Sequence, residues 1–276
     1  MRPMTRLAGL LLSASALASG CATAQATPTA PSTTARAPVD YGLRVFTASA
    51  ESNVPEMLDA LAKADYVLVG ETHLDDQTHR MEQTILEGII ERRGAEATVL
   101  SMEMFTRDQQ AALDGYLAGS LDEATFLEKA PPWSNYRTAY RPLVETAKAS
   151  GVPVIGANLP RELQREFGMK KGAAMDGLTA EQRAWVPAEV FPPAASYWAR
   201  IEARLRDAGH GHMGDMDAEG QKWSVQNLWD NTMADAMVKA REANPKAGVV
   251  HVVGGFHAEY GDGIANQLRV RDPRAT

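Results

Sequence analysis

The sequence predicts an α/β fold: a mostly parallel sheet flanked by helices, with a helical subdomain inserted before the last strand. Three observations carry this. Four short apolar runs, Val67–Gly70, Val99–Met102, Val152–Ala157 and Val249–Gly255, are rich in Val and Ile and show no polar alternation. Runs of that kind are strands buried on both faces of a parallel sheet. Segments with helical spacing alternate with them, the order that joins parallel strands through helical crossovers. From about residue 160 to 247 the strand signal is absent, a stretch too long for a single crossover.

The elements follow in order. Arg44-Val45-Phe46 reads as an edge strand. After the first apolar run, Met81, Ile85, Leu86, Ile89 and Ile90 share one helical face. After the second, Thr106-Arg107-Asp108-Gln109 has the spacing of a capping box and opens a helix to about Leu117. Ser120-Leu121-Asp122-Glu123 opens another in the same way. Pro142 to Lys148 forms the helix before the third strand, with Leu143, Val144 and Ala147 inward. In the long insertion, Thr179-Ala180-Glu181-Gln182 caps a short helix, and Ala194 to Arg206 is helical. Val225, Leu228, Trp229, Met233, Ala236 and Met237 stripe a helix leading to the last strand. Asp230 lies opposite that stripe, as ordinary surface. Gly261 to Arg269 closes the fold.

The chain's start reads as an address. Arg2 and Arg6 precede an apolar stretch, Leu7–Leu17, too short to span a bilayer. Ala18-Ser19-Gly20 and the single cysteine, Cys21, follow. This has the form of a lipoprotein signal peptide over residues 1–20, with lipidation at Cys21. An ordinary signal peptide cut near Ala22 or Ala24 is the alternative. Diacylation would supply the second chain that stable anchoring needs. Ala22 carries no inner-membrane retention signal, so the expected place is the outer membrane, facing the periplasm. Residues 21–39 are mostly Ala, Thr, Pro and Ser, a flexible tether; residues 40–276 form the domain, with its insertion at about 160–247. The formal net charge of −7 argues against a nucleic-acid partner. One cysteine excludes disulfides within the chain and thiolate metal sites. The G-x-G-x-x-G spacing occurs at Gly209–Gly214, but after a helical stretch and not after a strand, and no P-loop pattern is present, which argues against a nucleotide site.

The strands end in polar residues. Glu71 and His73 follow the first, Glu103 the second, Asn158 the third and His257 the last. Ligands in open α/β sheets bind outside the carboxyl ends of the strands. Glu71, His73, Glu103 and His257 therefore converge, on this reading, as ligands for a divalent metal ion or as a catalytic acid–base set. The bland alternative is that they cap helices and bind one another. His79 is equally a helix-surface residue or a support for that set. His251, among apolar neighbours, is a core histidine, and His210 and His212 sit in a Gly-rich turn. Trp133 to Arg141 places Tyr136 and Tyr140 each before an arginine, Arg137 and Arg141. Tyrosine can ligate haem iron and arginine can pair with propionates, so Tyr136, Tyr140, Arg137 and Arg161 are candidates for holding a planar acidic ligand. A packed loop under the sheet edge is the alternative.

Six short motifs carry a resemblance: Gly70-Glu71-Thr72-His73; Met102-Glu103-Met104-Phe105 with Gln109-Gln110; Trp133 through Tyr140; Ala157-Asn158-Leu159-Pro160-Arg161; Leu228-Trp229-Asp230 with Thr232-Met233-Ala234; and Gly254-Gly255-Phe256-His257 with Gly261-Asp262-Gly263. In this order they resemble the ChaN-type haem-binding lipoproteins, a branch of the wider superfamily of Tiki/TraB proteases and erythromycin esterases. The resemblance runs from about Tyr66 to Leu268. It implies an α/β fold, a lipid-anchored periplasm-facing domain, haem as cofactor, and a role in haem or iron uptake. An outer-membrane haem receptor and a second copy, in a homodimer sandwiching two rings, are partners of that reading. The positions Glu71, His73, Glu103 and His257 correspond to the polar set that the superfamily uses as a metal or hydrolytic centre. A metal-dependent hydrolase of peptidase or esterase type is therefore the rival function.

Overall fold

The computed structural model describes residues 43–207 and 216–276. The signal peptide, Cys21, the tether, and His210 and His212 lie outside these residues. Strands β1 (Val45–Phe46) and β2 (Glu51–Ser52) are followed by α1 (Val54–Leu61), β3 (Tyr66–Glu71), α2 (Asp76–Arg93) and β4 (Thr98–Thr106). Next come α3 (Gln110–Leu117), α4 (Glu123–Lys129), α5 (Tyr136–Ala139), α6 (Arg141–Ser150) and β5 (Val154–Asn158). Between β5 and the last strand lie α7 (Arg161–Lys170), α8 (Ala180–Trp185), α9 (Ala195–Asp207), α10 (Ala218–Lys222) and α11 (Val225–Ala243). Then follow β6 (Gly248–Gly254), α12 (Gly255–Ala258) and α13 (Ile264–Arg271).

The four apolar runs form one four-stranded sheet in the order β3-β6-β4-β5, parallel throughout. The chain's last strand lies between its first two sheet strands. That central place explains why Gly248–Gly254 is buried at every position. Arg44-Val45-Phe46 does not extend this sheet. Its Val45 and Phe46 pair antiparallel with Ser52 and Glu51 in a separate two-residue hairpin, clamped by Arg44 on the Glu51 carboxylate.

Strand parity sorts the core into two layers. Val67 of β3 and Val250 of β6 pack with Leu58 of α1 and Ile85 and Ile89 of α2. On the same face, Leu100 and Met102 of β4 and Val252 of β6 meet Leu86 of α2 and Leu143 and Val144 of α6. On the other face, Val99, Val249 and Val253 meet Met233 and Met237 of α11 and Ile264 and Leu268 of α13. The helices between β5 and α11 gather a third cluster, including Leu163, Phe167, Val186 and Trp223. No helix among the described residues is long and apolar enough to cross a membrane.

The boundary chemistry mostly follows the sequence. Thr106 and Gln109 form a capping box, as do Thr179 and Gln182. The α4 cap is Asp122, which accepts from Thr125 N at 2.8 Å, and not Ser120, whose hydroxyl donates instead to Gly115 O. Gly156 sits where β4 loses register after Met102. A Cβ there would stand 2.7 Å from Thr106 O, so only glycine lets the two backbones approach.

Candidate functional site

The polar strand ends do meet at the carboxyl edge of the sheet, but on opposite faces. Glu71 shares parity with Val67 and Val69 and points to the α2 side. Glu103 shares parity with Val99 and Ser101 and points to the α11 side. Each becomes the centre of its own buried network, and His73 lies between them.

On the α2 side, Glu71 is 5% exposed. Its Oε1 accepts from His73 Nδ1 at 2.5 Å and from the Tyr140 hydroxyl at 2.7 Å. Its Oε2 faces His79 Nδ1 at 3.1 Å, and His79 Nδ1 also lies 3.2 Å from Glu82 Oε2. His79 Nε2 donates to the His73 carbonyl at 3.1 Å, and Asn135 Nδ2 donates to the same oxygen at 2.8 Å. His79 is thus buried support and not helix surface. Burial, then the neighbouring Glu71 charge, pushes the Glu82 carboxyl up to about 9. Burial works on Glu71 in the same sense, but its contacts with His73, Glu82 and Tyr140 outweigh it and hold the carboxyl below its usual range. The bond to Glu71 raises His73.

On the α11 side, Glu103 Oε2 accepts from Gly254 N at 2.7 Å, tying β4 to the end of β6. Its Oε1 lies 3.9 Å from His257 Nε2. His257 Nδ1 is 2.5 Å from Asp230 Oδ1, with the Tyr197 hydroxyl at 3.2 Å. Burial would lower His257, but the Asp230 carboxylate outweighs it and raises the imidazole above its ordinary value. Asp230 is fully buried, which corrects its assignment to the surface. It precedes Met233 and Met237 by three and seven residues, so the helical period places it on the buried face. His251 is a core histidine as expected. It is fully buried, with Nδ1 2.8 Å from Ser101 Oγ and Nε2 without a partner. Asn158 spends its side-chain oxygen on Leu159 N.

An open cavity of about 340 Å³ lies over His73, lined by His73, Leu74, Pro132, Trp133, Ser134, Asn135 and Arg161. Leu74 is 86% exposed. The Trp133 ring meets the His73 ring edge-on, with centroids 4.9 Å apart. Of the Tyr–Arg candidates, only Arg161 lines this cavity. Tyr136 is buried among Phe105 and Phe126, its hydroxyl unpartnered. Tyr140 is buried on Glu71, and Arg137 is exposed elsewhere. The run from Trp133 to Tyr140 is thus largely the packed loop under the sheet edge, contributing one aromatic face to the cavity. Glu82, Asp230 and Tyr197 are the network members that the sequence reading did not single out as site residues. Glu82 carried a signal: it precedes Ile85, Leu86 and Ile89 by three, four and seven residues, a charge on an apolar helical face.

The family described as haem-binding uptake, Tiki superfamily, ChaN, matches residues 57–268. The chain belongs to this family. Among solved structures, the ChaN fold is shared with the Campylobacter jejuni protein described as "Cofacial heme binding to ChaN". That protein is 17% identical, with a TM-score of 0.59 over 82% of this chain and 84% of that one. An erythromycin esterase mutant, EreC H289N in its open conformation, is 13% identical. Its TM-score is 0.44 over 79% of this chain and 70% of its own. No curated protein sequence matches the chain. The ChaN motifs fall where the geometry is densest: the Gly70–His73 segment supplies Glu71 and His73, and the Gly254–His257 segment supplies the strand end and His257.

Proposed function

We propose that this ChaN-family domain binds haem in the cavity over His73 and serves haem or iron uptake. The observation that carries the reading is that cavity, within a chain whose family is defined by haem-binding uptake. Its donor set suits the ligand. Leu74, Pro132 and Trp133 offer an apolar wall for the ring, and Arg161 offers a cation for a propionate. His73 is the lining residue with a nitrogen of the kind that ligates haem iron. Glu71 holds its Nδ1, which leaves Nε2 as the free donor. Bound haem supplies the iron-centred chemistry; this chain's residues hold the ring and set its surroundings. A second copy of the chain would complete the site by bringing a second haem against the first, an arrangement compatible with the cofacial haem binding named for the Campylobacter jejuni protein.

Haemin titration of the purified protein, followed at the Soret band, tests this. A saturable shift is expected, weakened at least tenfold by Leu74→Ser combined with Arg161→Ala, moved in wavelength by His73→Ala, and untouched by Tyr136→Phe. Absence of a saturable shift refutes the reading. The lipid anchor at Cys21 and the outer-membrane, periplasm-facing location belong to the same proposal. Their support is the apolar stretch Leu7–Leu17 and the small residues before the single cysteine. Cys21→Ser is expected to move the protein from the membrane fraction to the soluble one; unchanged fractionation refutes the anchor.

A further inference from the structure

We infer that Glu71, His79 and Glu82 form a binding site for a divalent first-row transition ion of the zinc class, buried behind the haem cavity. One ligand atom from each of the three lies within 4.8 Å of the others, and all three residues are buried. Two of the contacts, 3.1 Å from His79 Nδ1 to Glu71 Oε2 and 3.2 Å to Glu82 Oε2, match the roughly 3.3 Å ligand–ligand edge of a tetrahedron with bonds of about 2.0 Å.

The hydrogen positions make the case. The His73 carbonyl only accepts, so His79 Nε2 carries a hydrogen. In the neutral imidazole this leaves the lone pair of Nδ1 facing two carboxyl oxygens. Glu71 Oε1 is already engaged by His73 and Tyr140. Its Oε2 and Glu82 Oε1 are buried without hydrogen-bond partners. Among the described residues no arginine or lysine pairs with either glutamate. One proton serves only two of the three converging atoms, whereas a divalent cation serves all three and balances both carboxylates. Metal-ligating histidines usually fix their second nitrogen on a carbonyl in this way. Two carboxylates and one imidazole suit zinc, manganese or iron(II). A second cavity, lined by Glu71, Thr72, Thr78 and Gly255 among others, gives a way in.

The test is a calorimetric zinc titration of chelator-treated protein, with thermal unfolding as the folding control. One equivalent is expected to bind. Glu82→Gln, which keeps the shape and the hydrogen-bonding capacity of the carboxyl group, and His79→Asn are each expected to weaken binding at least tenfold. Cobalt in place of zinc is expected to give the visible bands of a four-coordinate site. No saturable binding overturns the inference. So does binding that survives both substitutions, or binding lost with His257→Asn and kept with His79→Asn, which places the ion at Glu103. Haemin titration of the same chelator-treated protein reads the haem proposal separately.

Discussion

Replacing Ser101 by Ala and His251 by Leu together removes one buried imidazole and its only hydrogen-bond partner, and with them a defined pH dependence. His251 stands inside the central strand β6, fully buried. That burial, with the nearby His257 charge, pushes the imidazole down to about 3. In the unfolded chain a histidine takes its proton near 6.5. As pH falls through 6.5, the unfolded state binds a proton that the folded state refuses until about 3, so folding loses stability over that interval. The slope is about 1.4 kcal/mol per pH unit. Between pH 7.5 and 5.0 the loss amounts to about 2 kcal/mol. His73 and His257 are raised and act in the opposite sense: their contribution is complete below the unfolded value and is lost as pH rises through the folded one. They are present in both proteins and cancel in the comparison. Urea unfolding followed by circular dichroism, at pH 7.5 and 5.0, measures the difference. The wild type is expected to lose about 2 kcal/mol more than the double variant on acidification. Parallel pH dependences refute the reasoning, whatever the absolute stability of the variant.

Three further outcomes are expected. Asp230→Asn removes the charge held 2.5 Å from His257; breaking a buried pair costs about 3 kcal/mol, and by NMR the His257 imidazole titrates below its wild-type value, an unchanged titration being the contrary result. Gly254→Ala places a Cβ 2.9 Å from His73 Cε1 and Nε2; the ring must move, and haemin affinity is expected to fall several-fold with little change in the circular dichroism spectrum. Tyr140→Phe removes the 2.7 Å bond to Glu71 and is expected to cost roughly 1–3 kcal/mol in thermal or chemical unfolding, while a saturable haemin shift persists; loss of that shift would return Tyr140 to the ligand set.

The sheet was legible because its strands are apolar on both faces, and because polar residues stop them at one edge. The four runs, the stripe of α11 and two capping boxes came directly from residue spacing. The site was legible only in part. Glu71, His73, Glu103 and His257 do gather at the sheet's carboxyl edge, but reading them as one set ignored the two-residue period that sends Glu71 and Glu103 to opposite faces. Glu82 and Asp230 were hidden by the habit of placing charge on the outside of a helix, although each holds the register of an apolar stripe. The short strand at Val45 was misplaced for another reason: nothing local says which strand a two-residue segment will pair with. Tyr136 and Tyr140 show the limit of composition, since a tyrosine beside an arginine has the same spelling in a packed loop as in a binding face.

The last strand to be synthesised occupies the middle of the sheet. Until residue 254 has been made, β3 and β4 lack the neighbour they share, and each presents an open row of backbone donors and acceptors. Such edges invite pairing with other chains. The fold therefore closes from its carboxyl end, and the step that completes the sheet also delivers Gly254 to Glu103 and His257 to Asp230. A chain truncated before β6 loses the sheet's centre and the α11-side network together.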